Sequence, residues 1–156
     1  MSRLLRILIA IVASYAAALA ALLFSAPRAY PWYDELIKPA LVPPEWSFVP
    51  LWLTLYALTA LALAIVWTTD PASAEPEGWA RFYFIQLLFS GGWVFFFFGL
   101  HAVLVAFVCM LFLAFIVSSL IAGAWEIDRR ASYLLAPYFA FTLFIAYLNL
   151  NIWFLN

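Results

Sequence analysis

Residues 102–124 read AVLVAFVCMLFLAFIVSSLIAGA, with no Asp, Glu, Lys, Arg or His among them. A hydrocarbon core of about 30 Å needs about 20 apolar residues in a helix rising about 1.5 Å each. The stretch is long enough to cross a bilayer as one helix. Four more windows have the same character: Leu4–Phe24, Phe48–Thr68, Trp79–Phe98 and Ser132–Leu155. Arg6 and Arg81 are the only charges inside any of them, and each sits two residues from the start of its window. All are far longer than the roughly 9–11 residues of a tilted barrel strand, which argues against a β-barrel. The composition agrees, at 69% hydrophobic, 10% charged and a mean hydropathy of +1.07. Soluble domains carry about 25% charged residues. The reading is an all-α integral membrane bundle of five transmembrane helices, a single domain over residues 1–156, with a long folded first loop.

Charge and cysteine content remove several function classes. A net charge of −1 excludes nucleic-acid binding through phosphate neutralisation. One Cys excludes a disulfide framework and a multi-thiolate zinc site. Arg3, Arg6, Arg81, Arg129 and Arg130 fall on the N-terminal side of the five spans, against Arg28 and Lys38 on the other. The positive-inside rule then places the N-terminus in the cytoplasm, with loop 1 and the C-terminus outside. The N-terminal apolar run is longer than a usual signal-peptide core, so it is read as a retained span.

The connections differ in kind. Thr69–Gly78 reads as a solvated linker, Gly99–His101 as a tight turn and Trp125–Ala131 as a short charged link. Residues 25–47 are longer and hold Pro31, Pro39, Pro43 and Pro44 beside Trp32, Tyr33 and Trp46. Loops of this length are usually functional or disordered, and the aromatics argue for order. Asp34 and Glu35 with Lys38 support one helical turn that Pro39 ends. A folded lid is expected.

Most tryptophans suit interfacial anchoring: Trp67, Trp79 and Trp125 at one side, Trp153 at the other. Trp32 and Trp46 belong to the lid. Trp52 and Trp93 remain, inside the second and third spans. Helical rise puts Trp52 roughly 7 Å below its span end, and Trp93 and Asn149 roughly 9 Å below theirs. Helical spacing adds Tyr56 to Trp52, Ser90 and Gln86 to Trp93, and Ile145 and Thr142 to Asn149. Taken singly, each polar residue is explained by interhelical hydrogen bonding worth about 1 kcal/mol. Together, at one depth beneath an aromatic lid, they point to a cavity for a flat hydrophobic molecule with polar edges. The absence of deep charges disfavours a coupled pump. His101 reads as a turn residue and Cys109 as a small buried hydrophobe. Ridges of small residues such as Ala10, Ser14 and Ala18 suit packing within the chain or between copies. Pro137 should kink the last span locally.

The segment Trp32-Tyr33-Asp34, Leu36, Lys38-Pro39, Pro43-Pro44, Phe48, Pro50, Trp52 and Leu55-Tyr56 resembles the signature of the TspO/MBR family, the tryptophan-rich sensory or translocator proteins. Gln86-Leu87, Trp93 and Phe97-Phe98-Gly99 match its third helix; Leu135, Pro137-Tyr138 and Leu148-Asn149 match its fifth. The resemblance implies a five-helix bundle, usually a homodimer, with a ligand cavity closed by the first loop. It implies binding of porphyrins such as protoporphyrin IX or haem, and carries Trp32, Tyr33, Trp52, Tyr56, Gln86, Trp93, Tyr138 and Asn149 as pocket residues. Ser90 and Phe141 complete the candidate set at positions where the family usually has Asn and Trp. Phe95 replaces a usual Pro, Leu41 replaces a usual lid Trp, and Ile152 to Asn156 lacks the sterol motif of animal members.

The expected function is a membrane receptor or carrier for porphyrins or similar flat hydrophobic ligands, linked to tetrapyrrole transport or stress regulation. No catalytic residue and no metal site is expected, no cofactor is required, and porphyrin or haem enters as ligand. The alternatives are a light-dependent porphyrin-degrading enzyme, against which the loss of indoles at Leu41 and Phe141 weighs, a structural or signalling membrane partner, and sterol or lipid binding.

Overall fold

The computed structural model describes residues 2–29, 31–69 and 76–156. Its helices are α1 (Arg3–Ala29), the single turn α2 (Trp32–Glu35), α3 (Glu45–Thr68), α4 (Pro76–Val94), α5 (Val103–Ile127) and α6 (Arg129–Leu155). A π-helical turn, Phe95–Gly99, continues α4. No strand occurs among the described residues. Five helices, α1, α3, α4 with its π turn, α5 and α6, are long and apolar enough to cross a membrane. They close into a ring: α1 packs on α3, α3 on α6, α6 on α5, α5 on α4, and α4 returns to α1.

The outer surface of this ring is apolar. Leu88, Phe112 and Phe115 are all exposed, at 75%, 56% and 69%. Such residues on a water-facing surface would be an aggregation liability, whereas lipid tails are as apolar as they are. Packing between helices therefore rests on close approach and hydrogen bonds. Ala10, Ser14 and Ala18 form a buried ridge on α1 inside the bundle. Ser14 Oγ lies 2.7 Å from the Tyr83 hydroxyl of α4, which reaches Thr59 Oγ1 of α3 at 3.1 Å. One tyrosine thus joins three helices. At Gly99 an added Cβ would stand 2.9 Å from Cζ of Phe24, so the missing side chain lets α1 approach the π turn.

One end of the ring is tied by polar groups. Arg6 of α1 pairs with Glu77 of α4 at 2.8 Å and donates to the Trp67 carbonyl of α3. The Trp67 indole N–H donates to the other Glu77 oxygen at 2.8 Å. Trp79 donates to the Leu120 carbonyl of α5 at 2.8 Å. Trp67 and Trp79, expected as interfacial anchors, are instead 7% exposed and work as interior cross-braces. Trp125 and Trp153 are exposed, and Arg129 covers the Trp125 ring at 4.9 Å.

Several boundaries differ from the sequence reading, each for a local reason. The link at 125–131 shrinks to Asp128, because its carboxylate caps α6 by accepting the Arg130 N–H at 2.9 Å. The helix α1 runs through Ala29 and α3 begins at Glu45, which shortens the lid at both ends. The expected helical turn forms at Trp32–Glu35 but stops before Pro39. Leu36 is already extended, and the Ile37 backbone is committed to Asn156 rather than to a helix. The linker centred on residues 70–75 and the Arg28 side chain lie outside the described residues. Pro50 and Pro137 both stand inside helices.

The Asp128 cap gives the first prediction. Bonds from the Arg130 side chain hold its carboxyl below the usual carboxylate range. Asp128→Ala should cost about 1 kcal/mol, the usual worth of an N-cap, read as a lower Tm in detergent. A depressed folded pKa means the contribution is complete above the unfolded value of about 3.9 and is lost as pH falls through the lower folded pKa. The difference between wild type and variant should therefore be constant at neutral pH and close only in acid.

Candidate functional site

At the opposite end from the Arg6 cluster, the bundle holds a cavity of about 490 Å³, within the range of small-molecule sites. Its floor and walls come from α1, α3, α4 with the π turn, and α6; its roof comes from the lid. Trp52 is central. Its ring lies 6.0 Å from Trp93 at 28°, and 5.9 Å from Tyr56. Phe141 meets it edge-on at 5.2 Å and Tyr138 at 6.4 Å. These offset and edge-to-face arrangements are the favoured ones for aromatic pairs.

Six of the ten candidate residues line the cavity: Tyr33, Trp52, Tyr56, Ser90, Trp93 and Asn149. The depth arithmetic that grouped Trp52, Trp93 and Asn149 corresponds to their shared cavity. Tyr138, Phe141 and Gln86 do not line it. Tyr138 and Phe141 back the Trp52 ring, and the Tyr138 hydroxyl donates to Gln86 Oε1 at 3.0 Å. Tyr56 and Ser90 are joined hydroxyl to hydroxyl at 2.7 Å. Thr142 turns its hydroxyl back onto the Tyr138 carbonyl at 2.8 Å.

Trp32 is placed differently from the other lid aromatics. It stacks on His101 at 4.1 Å and 9°, and meets Phe97 edge-on at 5.3 Å. His101 supports this with a left-handed backbone, φ 54°. Trp32 thus fastens the lid to the π turn from outside the cavity, and Tyr33 is the aromatic that roofs it. The Lys38 ammonium sits 4.3 Å from the Tyr33 ring centroid and 3.9 Å from the Asp34 carboxylate. Burial, then the charges of Glu45 and Asp34, push the Tyr33 hydroxyl pKa up. The Asn156 carboxamide pairs with both backbone groups of Ile37, accepting at 2.9 Å and donating at 3.1 Å. Trp46, at the start of α3, is 77% exposed and takes no part in the roof.

The cavity also uses residues that the sequence did not single out for it. Ala18, Leu19, Leu22 and Ser25 of α1 line one side, and Asp34 and Glu45 line the mouth. Leu19, Leu22, Val49 and Leu53 both line the cavity and are exposed on the bundle surface. The cavity therefore reaches the outer face of α1 and α3. The small-residue ridge ending in Ala18 was the one signal in α1, and it pointed to packing alone. Two donors on cavity residues, Trp93 Nε1 and Asn149 Nδ2, are buried without a partner, as is Gln86 Nε2 just behind. An unpaired buried donor costs about 1–3 kcal/mol, which an acceptor on a ligand would recover. No cluster of metal-ligating side chains occurs among the described residues.

The backing layer can be tested apart from any ligand. Tyr138→Phe leaves Gln86 Oε1 without its donor and should lower stability by about 0.5–2 kcal/mol. The check is thermal unfolding in detergent, with Phe141→Leu as a packing comparison.

A family model described as the TspO/MBR family matches residues 8–154. Among curated proteins, the chain is similar to the Tryptophan-rich protein TspO of Chlorobaculum tepidum, 36% identical over 132 residues, covering 83% of each chain. It is 32% identical over 152 residues to the protein of the same name from Archaeoglobus fulgidus, covering 97% of each. It is also 32% identical over 127 residues to the Translocator protein of Ovis aries, covering 78% of this chain and 73% of the relative.

Proposed function

We propose, from the premise that this chain belongs to the TspO/MBR family and is an integral, multi-pass membrane protein, that it is a membrane receptor or carrier for porphyrins such as protoporphyrin IX or haem, or for similar flat hydrophobic ligands. The ligand occupies the cavity beneath the first loop, in a role linked to tetrapyrrole transport or stress regulation. The observation that carries this reading is the pairing of Trp52 and Trp93 on one cavity beside the unpartnered donors of Trp93 and Asn149. A flat conjugated ligand would extend the ring stack and offer acceptors to those N–H groups.

The Ser90 hydroxyl is paired with that of Tyr56, and the two carboxylates lining the cavity, Asp34 and Glu45, are exposed rather than buried beside a nucleophile, so binding is the simpler chemistry. The reach of the cavity to the surface of α1 and α3 suits a ligand that partitions into the bilayer. We place the N-terminus in the cytoplasm and the lid on the outer side, on the arginine distribution.

The test is titration of the purified protein with protoporphyrin IX, following tryptophan fluorescence. Quenching should saturate at micromolar or tighter affinity. Trp52→Ala and Asn149→Ala should each weaken binding by about tenfold, the worth of one aromatic stack or one hydrogen bond. Trp52→Phe should recover part of the loss. Unchanged affinity in the Trp52 and Asn149 variants would remove the ligand from this cavity.

A further inference from the structure

The only charged side chains lining the cavity, among the described residues, are Asp34 and Glu45. Both stand at its mouth, one on the lid and one on the first turn of α3. Both are near enough to the Tyr33 hydroxyl for their charges to act on it. Asp34 is partly offset by Lys38, at 3.9 Å. The Lys38 ammonium is held over the Tyr33 ring and does not itself line the cavity. Glu45 has no ion-pair partner among the described residues. The N-terminus of its own helix supplies only about half a unit of positive charge.

The two ends of the site thus carry opposite polarity. The deep end offers N–H donors, on Trp93 and Asn149, and the mouth offers carboxylates. Between them the walls are aromatic and aliphatic. A ligand with an acceptor at its inner edge and a cationic or hydrogen-donating group at its outer edge complements this pattern. A ligand that brings carboxylates to the mouth meets like charge at the protein surface, where the repulsion is stronger than in bulk water and is weakened by salt.

We infer that Asp34 and Glu45 make the mouth a charge filter, selecting neutral or cationic flat amphiphiles over anionic ones of the same shape. This rests on the binding reading above and narrows its ligand class: a porphyrin is taken best when its acidic side chains are masked.

The experiment compares three porphyrins that share one macrocycle and differ in the ends of two side chains: carboxylate, methyl ester and primary amine. Each is titrated by tryptophan quenching into the wild type, Glu45→Gln, Glu45→Lys and Asp34→Asn. Affinity ratios are compared between proteins, so differences in detergent partitioning cancel. In the wild type the ester and the amine should bind on the order of tenfold tighter than the acid at about 0.1 M salt. Glu45→Gln and Asp34→Asn should narrow that gap, and Glu45→Lys should favour the acid. Ratios that stay the same in all four proteins would overturn the filter while leaving porphyrin binding intact. Failure of all three porphyrins to bind would overturn both. Glu45 is exposed at a helix start, so its variants should fold, and an unchanged Tm checks that directly.

Discussion

Lipid offers no hydrogen-bond partner, so every polar group within the hydrocarbon region must find one inside the protein. That constraint organises this bundle. The backbone satisfies it by forming helices, and most buried side chains satisfy it in pairs that cross between helices. Tyr83 joins Ser14 and Thr59, Tyr56 joins Ser90, and Tyr138 joins Gln86. Three of the four exceptions among the described residues share one region: Trp93 Nε1, Asn149 Nδ2 and Gln86 Nε2 remain unpartnered on or just behind the cavity wall, while Arg6 Nε lies at the opposite end. In a bundle that pairs most of its polar groups, unspent donors around an aromatic cavity are what the binding proposal rests on.

The lid is held by several small interactions of different kinds. Trp32 stacks on His101, Lys38 bridges the Tyr33 ring and Asp34, and Asn156 pairs with the Ile37 backbone. Each alone is worth about 1 kcal/mol or less at a solvated surface. A segment fastened this way keeps a defined shape and can still open on the timescale of loop motion. The opposite end of the bundle is built differently. There, Arg6, Glu77 and Trp67 lock three helices with hydrogen-bonded charges, and no comparable cavity is described.

Much of the fold was legible because length is the signal that a bilayer reads. Five long apolar runs give five spans, and a fixed rise per residue gives depth, which groups Trp52, Trp93 and Asn149 at one level. Direction around a helix was far less legible. In a soluble helix the apolar stripe shows which face turns inward. Here the lipid face is as apolar as the core, so α1 gave no sign that Leu19 and Leu22 border a cavity. Trp67 and Trp79 read as interfacial anchors for the same reason, although both turn inward to brace neighbouring helices.

The sequence by itself determined the class of protein, the number of its spans, the aromatic lid and the level at which polar residues gather. These follow from local properties: run length, helical rise and the chemistry of Pro, Trp and charge in a loop. Only the tertiary structure decided which helices are neighbours, that Tyr33 and not Trp32 roofs the cavity, and that its charged mouth is made by Asp34 and Glu45. Those outcomes depend on contacts between distant residues, as far apart as Ile37 and Asn156. No local periodicity encodes such contacts; they are set when five apolar helices pack so that their few polar groups are satisfied together.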